Sequence, residues 1–309
     1  MADKSTIEGI GQQLLDSSRP LSERFRALFT LKNLGGTTAI DFISQGFDDP
    51  SALLKHELAY CLGQMQDTHA IPILTKVLKD KNQEAMVRHE AGEALGAIGS
   101  MDSLEVLKEY ENDPVIEVSE TCQLAVRRIE WLDNKHTLEG DKLSSNPYNS
   151  VDPAPPALDL DIPKLKNQLL DESKPLFERY RSMFSLRNAG GREAVLALAE
   201  GLNCESALFR HEVAYVLGQM QHEAAIEQLA KNLADKDENP MVRHECAEAL
   251  GSIAKDDCIN ILEKYALDQE RVVKESCVVA LDMSEYERGD QFQYADSLSK
   301  TKQSIKTQS

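Results

Sequence analysis

An all-α solenoid is the fold the sequence predicts, on three observations: an internal duplication, a shorter repeat inside each copy, and apolar residues at helical spacing. Residues 21–131 align without a gap to residues 176–286 at a constant offset of 155. Ala59-Tyr60-Cys61-Leu62-Gly63-Gln64-Met65-Gln66 is matched by Ala214-Tyr215-Val216-Leu217-Gly218-Gln219-Met220-Gln221, and Glu93-Ala94-Leu95-Gly96 by Glu248-Ala249-Leu250-Gly251. The two halves are therefore the same structure twice. Inside each half a period of about 30 to 33 residues marks stacked supersecondary units. No strand pattern competes with it.

Taken in order, the first half predicts helix pairs near residues 7–15 with 21–34, 38–47 with 51–65, 70–79 with 84–98, and 101–110 with 115–131. Leu53, Leu54, Leu58, Ala59 and Leu62 mark one apolar helix face, and Ile71, Leu74, Val77 and Leu78 mark another. Gly35-Gly36, Asp48-Asp49-Pro50, Gly99 and Asp113-Pro114 supply the stops and turns between them. The second half repeats the scheme, which gives an α-solenoid of eight HEAT-like helical hairpins, with repeats shorter than the roughly 40 residues usual for that class. Each repeat buries its apolar face only against its neighbours, so stability comes from the stack. The expected boundaries are an N-terminal half over 1–135, a linker over 136–162 and a C-terminal half over 163–288. Pro147, Pro153, Pro155 and Pro156 prevent a helix in the linker, so the halves are expected to be tethered rather than fused. The polar stretch 289–309 reads as a disordered tail.

Lys plus Arg number 34 against 52 Asp plus Glu, a formal net charge of −18. That balance argues against nucleic acid or an anionic membrane as partner, and favours a cationic substrate or a basic protein surface. The six cysteines form no C-x-x-C pair and several fall at apolar helix positions, as buried free thiols in a reducing compartment do. Residues 1–30 carry Asp3, Lys4, Glu8, Asp16 and Arg19 among the apolar positions, so no signal-peptide core forms, and no run of 18 apolar residues occurs. A soluble cytoplasmic protein is expected.

The chemistry concentrates in one element that occurs four times: Lys55-His56-Glu57, Arg88-His89-Glu90, Arg210-His211-Glu212 and Arg243-His244-Glu245. The two histidines of each half stand 33 residues apart and recur 155 residues later. All four dipeptides lie early in the second helix of the second or third hairpin. The fourth hairpins carry Ser119-Glu120 and Lys274-Glu275 instead, which argues against a role in stacking that every repeat would share. Neighbouring second helices pack about 8–10 Å apart, so His56 and His89 can converge on one ion with a carboxylate beside each. Two imidazoles and one or two carboxylates suit iron with open positions for oxygen; manganese is possible, and zinc is a rival that lacks its His-Glu-x-x-His signature. Which glutamate of each pair ligates stays open on these grounds. A solenoid folded back at the linker would bring two such half-sites face to face in one cleft.

These duplicated HEAT-like halves, with Arg-His-Glu-x-(Ala or Gly)-Glu-Ala-Leu-Gly in both, resemble the deoxyhypusine hydroxylase family from about residue 5 to residue 288. The resemblance implies a non-haem di-iron monooxygenase that uses dioxygen and an external electron donor. Its substrate would be the deoxyhypusine residue of translation initiation factor 5A. The resemblance makes His56, His89 and Glu90 ligands of one iron and His211, His244 and Glu245 ligands of the other, with Glu57 and Glu212 on the substrate side as catalytic and binding residues. Deoxyhypusine is a lysine-derived polyamine, so unpaired carboxylates fit its ammonium groups. Met86 and Met241, three residues before a ligand histidine, are candidate linings of the substrate channel, against adaptable core packing. Glu93 and Glu248, four residues after His89 and His244, are placed for a hydrogen bond to imidazole, Tyr60 and Tyr215 for packing, and the basic residue before each histidine for balancing the acids or touching a partner. The alternatives are a non-catalytic HEAT-repeat scaffold, a bilin lyase of HEAT-like type, and a metal-dependent hydrolase; none of them asks for four His-Glu pairs in two matched halves.

Overall fold

The computed structural model describes residues 4–134, 145–159 and 161–289. In the first half α1 (Lys4–Leu15) pairs with α2 (Leu21–Leu34), α3 (Thr37–Ser44) with α4 (Ala52–Met65), α5 (Ile71–Lys79) with α6 (Ala85–Ile98), and α7 (Leu104–Tyr110) with α8 (Ile116–Asn134). In the second, α9 (Ile162–Leu170) pairs with α10 (Leu176–Ala189), α11 (Gly191–Glu200) with α12 (Ala207–Met220), α13 (Ile226–Ala234) with α14 (Pro240–Ile253), and α15 (Asp256–Tyr265) with α16 (Arg271–Glu287). The described residues are thus all-α, in eight hairpins. Expected and observed helix ends differ by a few residues, because capping decides where each helix starts and stops. Ser51 and Ser206 accept the backbone N–H of Leu54 and Phe209 and start α4 and α12 there. The expected disordered tail lies outside the described residues, apart from Gly289.

The even-numbered helices pack on one another in sequence and form an inner layer, while the odd-numbered ones cover them. Two glycines set how closely the inner layer packs. A Cβ on Gly63 would stand 2.7 Å from the Cα of Ala94, and one on Gly218 would stand 3.0 Å from the Cα of Ala249. Backbone contact there draws α4 onto α6 and α12 onto α14, and that brings their side chains together.

The two halves do more than share a tether. Helix α16 packs on α2 and α4, and α8 packs on α10 and α12, so the stack closes on itself along two seams. Ser51 donates to Glu275 at 2.6 Å across one seam, and Ser206 donates to Glu120 at 2.7 Å across the other. The two pairs are equivalent under the 155-residue offset. They also account for the missing histidines: in the fourth hairpins the His-Glu register is given over to joining the halves. The described part of the linker, 145–159, packs as well; Ala157 donates its N–H to Arg181, and Pro153 to Pro156 are buried.

A buried arginine fastens successive hairpins by one repeated geometry. Arg24, Arg88 and Arg243 each donate Nε to the carbonyl ten residues earlier and Nη2 to the aspartate 25 residues later, at 2.6 Å in all three cases. Burial alone would raise the Asp268 carboxyl, but Arg243 and the N–H of Glu270 outweigh it and hold the group below its ordinary value. Arg243→Ala would leave the half-buried Asp268 without its charged partner, an expected loss of about 1.5–3 kcal/mol. A denaturant melt measures it, and the metal content of the folded fraction should not change. Arg88 and Arg243 therefore serve the stack; Lys55 pairs with Glu84 at 2.7 Å and Arg210 with Glu238 at 2.5 Å, so none of the four basic residues balances the acids beside the histidines.

Candidate metal centre

Helices α4, α6, α12 and α14 each deliver one His-Glu pair to the middle of the ring, and all four imidazoles meet in one cluster. His56 has its ring centroid 5.4 Å from that of His89, 5.6 Å from His211 and 5.1 Å from His244; His89 and His244 each lie 5.3 Å from His211. His89 and His244 are fully buried, and His56 and His211 nearly so. Both ring nitrogens of His89, His211 and His244 lack any hydrogen-bond partner. Burial presses His89 and His244 well below the ordinary histidine range, and the neighbouring imidazoles add to it. Both rings are therefore neutral, with lone pairs free. Burial acts the same way on His56, but the Glu90 and Glu57 carboxylates outweigh it and hold that ring well above the range.

The acids complete the set. His56 Nε2 lies 3.3 Å from Glu90, and His211 Nε2 lies 3.4 Å from Glu245. Ligand atoms of His211, His244 and Glu245 come within 4.8 Å of one another, as do those of His56, His89 and His211, and those of His89, Glu90 and Glu93. His56 and His211 thus stand between the half-sites, and Glu93 joins the group closer in than its spacing suggested. Glu57 Oε1 lies 3.4 Å from His56 Nδ1, whereas Glu212 Oε1 has no partner. Burial lifts Glu57 above its ordinary value and Glu93, Glu212 and Glu248 well above it, with neighbouring carboxylates adding to each. Three buried imidazoles without a hydrogen bond, those of His89, His211 and His244, are costly unless something binds their lone pairs. Divalent cations would use those nitrogens and offset the crowded acids together, so the donor set fits a metal pair.

His56 and His211 of the cluster border a cleft of about 410 Å³ that the six glutamates also line. Tyr60 and Tyr215, equivalent residues of the two halves, share a hydroxyl–hydroxyl bond of 2.9 Å beside it. Val151, Asp152 and Pro153 of the linker form one wall, a feature the composition of that segment concealed. Met86 and Met241 do not border this cleft. They line a second cavity of about 400 Å³ at the N-terminal ends of α6 and α14, since those residues begin the helices while the cleft opens toward the other ends.

Eight hairpins with a metal-ligand set at their centre define a HEAT-repeat protein with an internal site, and a family model described as HEAT repeats matches residues 40–127 and 195–282. Among curated proteins, human deoxyhypusine hydroxylase is 65% identical over 298 residues, covering 96% of this chain and 97% of the human one. The rat protein of that name is 64% identical over the same length. A structure of human deoxyhypusine hydroxylase in complex with glycerol superposes with a TM-score of 0.88 at 67% identity, over 92% of this chain and 97% of that one. The chain belongs to the deoxyhypusine hydroxylase family.

Proposed function

We propose that this protein is a non-haem di-iron monooxygenase that converts the deoxyhypusine residue of translation initiation factor 5A to hypusine. The observation that carries the reading is the cluster of four buried imidazoles, three of them without any hydrogen bond, ringed by six carboxylates. His56, His89 and Glu90 would hold one iron, and His211, His244 and Glu245 the other. A bound iron pair supplies dioxygen activation and an oxidant strong enough for an unactivated C–H bond. In the balanced reaction one oxygen atom enters the carbon as hydroxyl. The other leaves as water with two protons and two electrons from an external donor.

The rest is work for the protein's own side chains. Glu57 and Glu212 accept the ammonium groups of the polyamine, and the surrounding helices keep water out, which strengthens those contacts. The net charge of −18 steers a basic segment of the protein substrate inward. Cytoplasmic residence is part of the proposal and is supported by six free, buried cysteines. Among the described residues no helix is long and apolar enough to cross a membrane. A non-catalytic scaffold is the weaker reading, because hairpin stacking gains nothing from three buried imidazoles without a hydrogen bond.

Elemental analysis tests the reading first: about two irons per chain are expected, one for each His-His-Glu set. The loaded protein should hydroxylate the deoxyhypusine-bearing factor in the presence of dioxygen and a reductant. No metal after anaerobic loading with ferrous iron would refute it. The pH dependence has a definite sign. His56, Glu93, Glu212 and Glu248 all hold protons to higher pH than usual, and metal must displace them, so affinity should rise from about pH 5 to pH 8. By the same linkage His89 and His244, pressed low, oppose these groups below pH 6.5, the ordinary histidine value, whereas above it only the groups held high remain to titrate in the site. The stability of the metal-free fold should therefore fall as pH rises above 6.5. Thermal melts across that range, with and without metal, check both signs.

A further inference from the structure

The halves repeat one another, yet the cleft between them is one-sided. Beside it stand Arg128 and Arg187, whose counterparts 155 residues away are Met283 and Lys32. Arg187 is fully buried and grips the Asp152 carboxylate through both terminal nitrogens, at 2.8 and 2.7 Å, while Arg128 Nε donates to the Asp152 carbonyl at 2.8 Å. Gln64 holds the next residue from both sides: the Val151 N–H donates to its Oε1 at 2.9 Å, and its Nε2 donates to the Val151 carbonyl at 3.2 Å. The opposite side keeps only the glutamine, and Gln219, the counterpart of Gln64, is taken up by Arg187 at 2.9 Å and by the Tyr215 hydroxyl at 3.0 Å. Met283 donates nothing, and Lys32, without a planar fork to hold a carboxylate, lays its ammonium over the rings of Phe29 and Tyr60 at 5.2 and 6.0 Å. Phe29 and Met283 border the cleft there, whereas Phe184, the counterpart of Phe29, is buried in the core.

We propose that the strap Val151–Asp152–Pro153 closes one of two equivalent mouths of the cleft, so that an amine chain reaches the glutamates only past Phe29 and Met283 and is bound in one direction. The inference rests on the polyamine reading above and names the residues that would orient the substrate. A cleft with equivalent acids on both sides would take a linear amine in either direction, and only one direction presents the right carbon. One mouth and one wall remove that ambiguity. Nothing in the wall draws an ammonium group further in: Asp152 is already paired with Arg187, Arg128 beside it adds a second positive charge, and Val151 and Pro153 offer only apolar surface. The strap acts as a stop.

Calorimetric titration of the metal-loaded protein with spermidine and with the longer tetraamine spermine tests this. Wild type should prefer spermidine although spermine carries more charge. Met283→Trp, which fills the open mouth, should weaken spermidine binding by about tenfold or more with metal content and melting temperature unchanged. Arg128→Met gives the strapped side the residue of the open side, and should cut the preference for spermidine at least about threefold. Gln64→Ala, which releases Val151 without opening the core, repeats that test should Arg128→Met prove unstable. Wild-type preference for spermine, unchanged spermidine affinity in Met283→Trp, or an unchanged preference in the strap variants would overturn the proposal. No binding of either amine to wild type would instead overturn the polyamine reading, and this inference with it.

Discussion

Alanine at His89 or at His244 is expected to weaken metal binding by more than about 100-fold and to abolish hydroxylation, the size of effect that follows when a ligand rather than its support is removed. The helices should stay folded. Both imidazoles are fully buried, and none of their four nitrogens has a hydrogen-bond partner, so removing a ring strands no other group. Burying an imidazole unsatisfied costs about 1–3 kcal/mol, which offsets much of the small cavity left behind. The metal-free variants should therefore melt within about 2 °C of metal-free wild type, while the metal-loaded wild type melts well above both. His69→Ala is the control, because that ring sits on the surface bonded to Asp41 at 2.8 Å. Metal retained in both histidine variants would refute the site assignment.

What the sequence disclosed and what it hid divide along a physical line. Helix pairs, stops and the fourfold His-Glu element were legible because each is local or repeated: apolar spacing sets a face, and a fixed offset shows the copy. The convergence of all four imidazoles on one point was a conjecture about folding back, because nothing local encodes ring closure. A signal for it existed. Ser51 with Glu275 and Ser206 with Glu120 are two long-range pairs that obey the same 155-residue offset as the histidines. The arginine fastener was legible too, as an Arg followed 25 residues later by Asp at Arg24, Arg88 and Arg243. At the fourth position Arg179 meets Cys204 at that spacing, so the pattern is incomplete and easily missed. Basic residues just before the histidines drew attention to the cluster, yet a residue one step along a helix points about 100° away, and these reach the neighbouring hairpin instead. The strap lay beyond reach because it belongs to the one segment without a copy, and Asp152 finds Arg187 only in the folded ring.

Glu212→Ala is expected to keep its metal and raise the KM for the deoxyhypusine substrate about 100-fold, the scale of a buried ammonium–carboxylate contact. Glu212 is almost wholly buried, and its Oε1 has no hydrogen-bond partner. Burial, with Glu90, Asp152 and Glu245 adding to it, keeps its carboxyl well above the ordinary range, so it ionises readily only beside an arriving cation. An ammonium group in contact meets that condition. Glu57 differs, because its Oε1 lies 3.4 Å from His56 Nδ1 and helps set that ring. Glu57→Ala should show the same rise in KM together with metal binding loosened by up to about tenfold, as for a group that supports a ligand. Steady-state kinetics of metal-loaded variants, paired with elemental analysis, separate the two effects. Should Glu212→Ala shed metal as completely as His244→Ala, the carboxylate is a ligand, and the acids that hold the amine must be sought in Glu93 and Glu248.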